Sequence, residues 1–130
     1  MIEQLLDTRV LLLFLQDDSG LSDALAQRIE APDRRSLVSM ASLWELAQKD
    51  ALGLVRFAPA RRPDFPKVLL EEGFDVLPIE WSTMRRAAAL PYHHDDPTDR
   101  LIIAEAIARN IPVLSLDEQF DLYGVDRLGA

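Results

Sequence analysis

The 130-residue chain reads as an α/β fold, a mostly parallel sheet of four to five strands with helices on both faces. Two observations predict it. Short apolar runs alternate with longer segments of helical periodicity, the pattern of strand–helix–strand units. Cap and turn residues (Ser, Asp, Gly, Pro) stand at the joints between them. Right-handed crossovers then distribute the helices over both sides of the sheet.

Leu5-Leu6-Asp7 closes a first strand that starts near Glu3. Val10 to Leu15 is apolar all round, as in a buried helix. Asp17-Asp18-Ser19-Gly20 breaks the chain, and Ser22 caps a helix to about Glu30 with Leu25 and Ile29 on one face. Leu37 to Met40 is the second strand. Ser42 opens a helix to about Leu52, ended by Gly53. A segment rich in Pro and Arg follows, then a short helix from Lys67 to Glu72. Phe74 to Ile79 reads as a third strand despite Pro78. Ser82 caps a helix through Leu90, and Pro91 closes it. Tyr92 to Asp96 is a polar loop. Asp96-Pro97 starts a strongly apolar helix to about Arg109, with Asn110 as its C-cap. Pro112 to Leu116 is the fourth strand, ending at Asp117. The tail holds a short helix and a final short strand.

Composition narrows the function classes. A hydrophobic content of 48% supports a core, so one domain over residues 1–130 is expected. There are no cysteines, which fits a reducing compartment. The longest apolar run falls far short of a membrane span. Met1-Ile2-Glu3-Gln4 lacks the basic start of a signal peptide, and the expectation is a cytoplasmic protein without a membrane. A formal charge of −8 argues against nucleic-acid binding through bulk positive charge. It leaves a solvated acidic surface or a cation site.

Four acids favour the cation site. In parallel sheets the ligand crevice lies outside the carboxyl ends of the strands. Asp7 and Asp117 end the first and fourth strands. Glu45 is expected in the first turn of the helix after the second strand, and Asp99 in the first turn of the helix from Pro97. Carboxylates gathered on one rim repel, and a hard divalent cation such as Mg²⁺ or Mn²⁺ removes that cost. Each acid also has an ordinary structural reading. Ser42 to Glu45 matches a capping box; Asp99 favours a helix dipole; Asp7 fits a turn, and Asp117 fits a cap. What those readings leave unexplained is the shared location. His93 and His94 read as solvated turn residues, Trp44 as a core or interface residue, and Arg61-Arg62 and Arg85-Arg86 as exposed pairs.

With these residues in view, the chain resembles PIN-domain ribonucleases and, within them, the VapC-type toxins of bacterial toxin–antitoxin pairs. The motifs that carry the resemblance are Leu5-Leu6-Asp7-Thr8, Ser42-Leu43-Trp44-Glu45-Leu46, His94-Asp95-Asp96-Pro97-Thr98-Asp99-Arg100 and Ser115-Leu116-Asp117, in the family's order and at about its spacings. The resemblance implies a PIN-like three-layer sandwich, with Asp7, Glu45, Asp99 and Asp117 as the catalytic, metal-binding set for Mg²⁺ or Mn²⁺. It implies that Ser115 orients the site. It also implies cleavage of single-stranded RNA by a metal-activated water, a homodimer, and a small antitoxin that blocks the site. Arg9 stands where the family commonly has His, and Thr98 where it commonly has Phe. Both departures bear on substrate preference and leave the carboxylates intact.

Two other classes compete. A phosphotransfer enzyme using Asp7 as nucleophile would want a second Asp two residues on, where Arg9 stands, or the further acids and late Lys of a receiver domain. A non-catalytic protein-binding module needs none of the four acids.

Overall fold

Strand β1 (Ile2–Leu6) lies at the centre of a five-stranded sheet in the computed structural model, which describes residues 1–130. The strand order is β3-β2-β1-β4-β5, with β2 at Arg34–Ser39, β3 at Phe74–Leu77, β4 at Val113–Leu114 and β5 at Arg127–Leu128. Every pairing is parallel. Helices α1 (Thr8–Leu15), α2 (Asp23–Glu30), α3 (Met40–Ala51), α4 (Phe65–Glu71), α5 (Trp81–Ala89) and α6 (Pro97–Arg109) fill the crossovers, with 3₁₀ turns at Ala58–Arg61 and Glu118–Tyr123.

The register explains why the central strands are apolar throughout. Leu5 pairs with Leu37 and Val113, and Leu6 with Val38 and Leu114. Side chains alternate across a strand. Leu6, Val38 and Leu114 therefore enter one core, with Val10, Leu25 and Leu46. Leu5, Leu37 and Val113 enter the other, with Ile102, Ile103 and Phe120. Each fully buried Leu contributes about 1.5–3 kcal/mol, so both faces of β1 are anchored. No helix is long and apolar enough to cross a membrane.

Several boundaries differ from expectation, each for a local reason. Helix α1 starts at Thr8, because the Asp7 carboxylate accepts from the Val10 amide at 2.8 Å and caps it. Its apolar stretch is not buried all round: Val10 and Leu11 are buried, while Leu12 to Leu15 are partly covered. Helix α3 is capped by Ser39, which accepts from Ala41 N at 3.1 Å, and not by Ser42. Glu45 is thus the sixth helical residue, one turn later than the capping-box reading placed it. Helix α4 begins at Phe65, with Pro66 in its first turn. Strand β3 ends at Leu77, before Pro78, which has no amide to donate. Ser82 lies inside α5, whose N-cap Glu80 makes no side-chain cap bond. Strand β4 is only two residues long. Asn110 closes α6 in the left-handed conformation at φ 52°, as its position predicted.

Candidate metal centre

The chain leaves β1 in one direction towards β2 and returns on the other side as β4, so the sheet's switch point lies between β1 and β4. A cleft of about 680 Å³ opens there, at the carboxyl ends of the strands. Asp7, Glu45, Asp99 and Asp117 all line it, together with Asp96 and Glu118. Arg9 and Lys49 are its only basic lining residues. The structure therefore brings the four acids together from four separate segments of sequence.

Each carboxylate is placed by its element. Asp7, 5% exposed, caps α1 through Oδ1. The Ser115 Oγ accepts from the Asp117 amide at 3.0 Å at the end of β4. Asp117 caps its 3₁₀ turn through Oδ1, which accepts from Gln119 N at 3.0 Å. Asp99 stands in the first turn of α6, where its amide donates to the capping Asp96 carboxylate at 2.9 Å. Glu45 projects from α3 and pairs with Lys49 at 3.2 Å. The structural readings of these acids therefore coexist with the cleft. Asp7 and Asp117 each spend Oδ1 on a cap, and Asp117 turns Oδ2 to His94.

His94 is the residue that the sequence did not flag. Its ring is largely buried, with Nε2 2.8 Å from Asp117 Oδ2 and 2.9 Å from Asp99 Oδ2. His93 is exposed in the turn, as expected, but His94 is not, because the loop is held from two sides. The Tyr123 hydroxyl accepts from the His94 amide at 2.8 Å and donates to Pro91 O at 2.7 Å. The Arg100 guanidinium donates to the carbonyls of Pro91 and His94. His93 packs edge-on to Tyr123 at 5.2 Å. Trp44, read as core or interface, is 64% exposed. Arg61 and Arg62 are exposed and pair with Asp50 and Asp64.

Crowding of negative charge shows in the protonation equilibria. Burial pushes the Asp7 carboxyl up, against hydrogen bonds from Ser115 and the Val10 amide, and the charges of Asp117 and Glu45 add to the rise. Asp99 is pushed up to about 7, first by burial, then by the charges of Asp96 and Asp7, opposed in part by His94. Acids raised by burial and by neighbouring carboxylates are ones whose cost a cation would relieve. Ligand atoms of His94, Asp99 and Asp117 all lie within 4.8 Å of one another. A set of hard oxygen donors with excess negative charge fits Mg²⁺ or Mn²⁺.

A model of the PIN domain family matches residues 5–125. The chain belongs to the PIN domain family. PIN domains of VapC toxins are nucleases, and PIN nucleases generally use a divalent metal. No curated protein matches the chain on sequence. Among solved structures, this PIN domain is similar to a chain of a toxin–antitoxin complex from Klebsiella pneumoniae (15% identity, TM-score 0.65, covering 97% of this chain and 96% of that one). It is similar also to a chain of VapBC-1 from nontypeable Haemophilus influenzae (18%, 0.66, 98% and 97%). A third is a chain of DNA-bound VapBC from Salmonella typhimurium (17%, 0.68, 98% and 98%). At these identities the likeness is one of fold, and it extends over nearly the whole of each chain.

Proposed function

We propose that this PIN domain is a divalent-metal-dependent endoribonuclease, the toxin of a bacterial toxin–antitoxin pair, with Asp7, Glu45, Asp99 and Asp117 as its catalytic, metal-binding carboxylates. The observation that carries the reading is their convergence on one cleft, with Asp7 and Asp99 both pushed above the usual carboxylate range. Family membership supports the nuclease class. The toxin–antitoxin complexes among the fold relatives support a small antitoxin as partner, and a homodimer belongs to the same reading.

Asp7, Glu45, Asp99 and Asp117 would hold the cation, with Asp7 and Asp99 as its firmest ligands. A bound divalent cation supplies a water of lowered pKa and neutralises charge on a phosphodiester. The chain's own groups orient the rest. Ser115 accepts the amide that places Asp117, and its hydroxyl opposes the rise of the Asp7 carboxyl. Arg9 and Lys49 line the same cleft and suit the flanking phosphates of a single strand.

The test is cleavage of single-stranded RNA by the purified chain with Mn²⁺ or Mg²⁺, and its loss in chelator. Asp99→Asn is expected to reduce the rate on the order of 10³-fold while the protein stays folded. Undiminished cleavage by that variant would remove the assignment. Expression of the chain alone is expected to arrest growth, and a co-expressed antitoxin to relieve it. Equal arrest by Asp99→Asn would show that cleavage is not the cause.

A further inference from the structure

His94 sits at the mouth of the carboxylate cluster with both ring nitrogens engaged. Nε2 faces the Oδ2 atoms of Asp99 and Asp117, at 2.9 and 2.8 Å. Nδ1 accepts from the backbone amide of Asp96 at 3.2 Å. An amide N–H can only donate, so Nδ1 carries no proton in this arrangement. In the neutral ring the proton is therefore on Nε2, the nitrogen turned towards the two acids.

The ring has little freedom to exchange these roles. Its backbone is clamped by Tyr123 through the His94 amide and by Arg100 through the His94 carbonyl. Its face meets the fully buried Phe120 edge-on at 6.1 Å. The clamps come from the two elements that carry the acids: Arg100 follows Asp99 on α6, and Tyr123 ends the 3₁₀ turn that Asp117 caps. The loop is thus held by the same two elements whose carboxylates it bridges.

We infer that His94 is a positioning residue of the metal centre, a fixed Nε2–H donor that holds Asp99 and Asp117 together for a cation without ligating the cation itself. The inference rests on the metal-dependent reading above. With His94 on its Oδ2, Asp99 keeps Oδ1 for the cation, whereas Asp117, with the Gln119 amide on Oδ1 and His94 on Oδ2, offers the remaining lone pairs of those oxygens. Hydrogen bonds to ligating carboxylates orient them and tune affinity. Ligation through Nε2 would instead need that nitrogen's lone pair. The ring proton would then move to Nδ1 and displace the Asp96 amide, whose residue caps α6.

Two measurements test this. Nitrogen-15 spectra of the ring at pH 8 are expected to show a protonated Nε2 and a bare Nδ1 in metal-free protein, unchanged when Mg²⁺ is added. Loss of the Nε2 proton on addition of Mg²⁺, or a proton on Nδ1 at the start, overturns the proposal. Calorimetric titration with Mn²⁺ is expected to give about 10- to 100-fold weaker binding for His94→Phe. His94→Gln, which returns an N–H donor at similar reach, is expected to keep most of the affinity. Equal Mn²⁺ binding by His94→Phe overturns the proposal and leaves the nuclease reading standing. If His94→Phe fails to fold, the ring spectra of the unaltered chain still decide. Absence of any Mn²⁺ uptake by the unaltered chain overturns both readings together.

Discussion

The Thr8 hydroxyl donates to the Ser42 hydroxyl across 2.9 Å, in a spot where both residues are buried. This bond joins the start of α1 to the first turn of α3, and so couples the element that Asp7 caps to the one that carries Glu45. Ser42→Ala leaves a buried donor without a partner and is expected to cost about 1–3 kcal/mol. The double variant Thr8→Val with Ser42→Ala removes both polar groups and is expected to recover most of that loss. Denaturant unfolding of Thr8→Val, Ser42→Ala and the double variant checks it. Simple additivity of the two single losses would mean the hydroxyls do not interact.

Asp99 sets a pH dependence with a definite sign. Its carboxyl titrates at about 7 in the folded chain, against an ordinary value of 3.8. Between those values the folded state holds a proton that the unfolded state has released. Stability from this group is therefore fully present below about pH 4 and lost as pH rises through 7. In EDTA, Asp99→Asn is expected to be more stable than the unaltered chain at pH 8, on the order of 3 kcal/mol. The advantage is expected to shrink towards pH 4. A constant difference across that window would refute the account.

Cation removal follows the same logic. A divalent ion at a hundred times its dissociation constant adds about 2.7 kcal/mol to the folded state, and for a chain of this size it raises the melting temperature by roughly 10 °C. Mn²⁺ is expected to produce such a shift, EDTA to reverse it, and Asp99→Asn to abolish it. Identical melting curves with and without Mn²⁺ would exclude the site.

Arg100 is a buried cation whose acceptors are all backbone or phenolic oxygens. Its guanidinium reaches the carbonyls of Ala87, Leu90, Pro91 and His94, at 2.6 to 3.2 Å, and lies 4.0 Å from the centre of the Tyr92 ring. The carbonyls that end α5 supply the negative end of a helix dipole. Arg100→Met orphans several of them and is expected to cost about 3 kcal/mol or more. Arg100→Lys cannot reproduce the planar fork and is expected to recover little. Thermal unfolding distinguishes these outcomes from a neutral surface change.

The sheet was legible because its signals are local and redundant. Leu5-Leu6 and Leu37-Val38 are short apolar runs bounded by turn chemistry, and the rule for strand ends then located Asp7 and Asp117 without any side-chain geometry. The start of α3 was less legible for a physical reason. Ser39 and Ser42 are both good caps, and what separates them is tertiary: Ser42 is used by Thr8, so Ser39 takes the cap. His94 opens one of the motifs, but its contact with the two acids lay beyond cap and period rules. Its place depends on a loop fixed by Tyr123, 29 residues away, and no periodicity or cap rule predicts such a clamp. Trp44, placed in the core or at an interface, lies on the outer side of α3, since only packing decides which side of that helix faces water.

The central position of β1 has a consequence for synthesis. Strand β1 finds one neighbour in β2, but its other flank stays open until Val113 and Leu114 arrive. Asp7 cannot meet Asp117 before that pairing closes. A half-made polypeptide that stops short of β4 therefore carries an exposed sheet edge and an unassembled pocket, and whatever chemistry the acids perform together is withheld until β4 is in place.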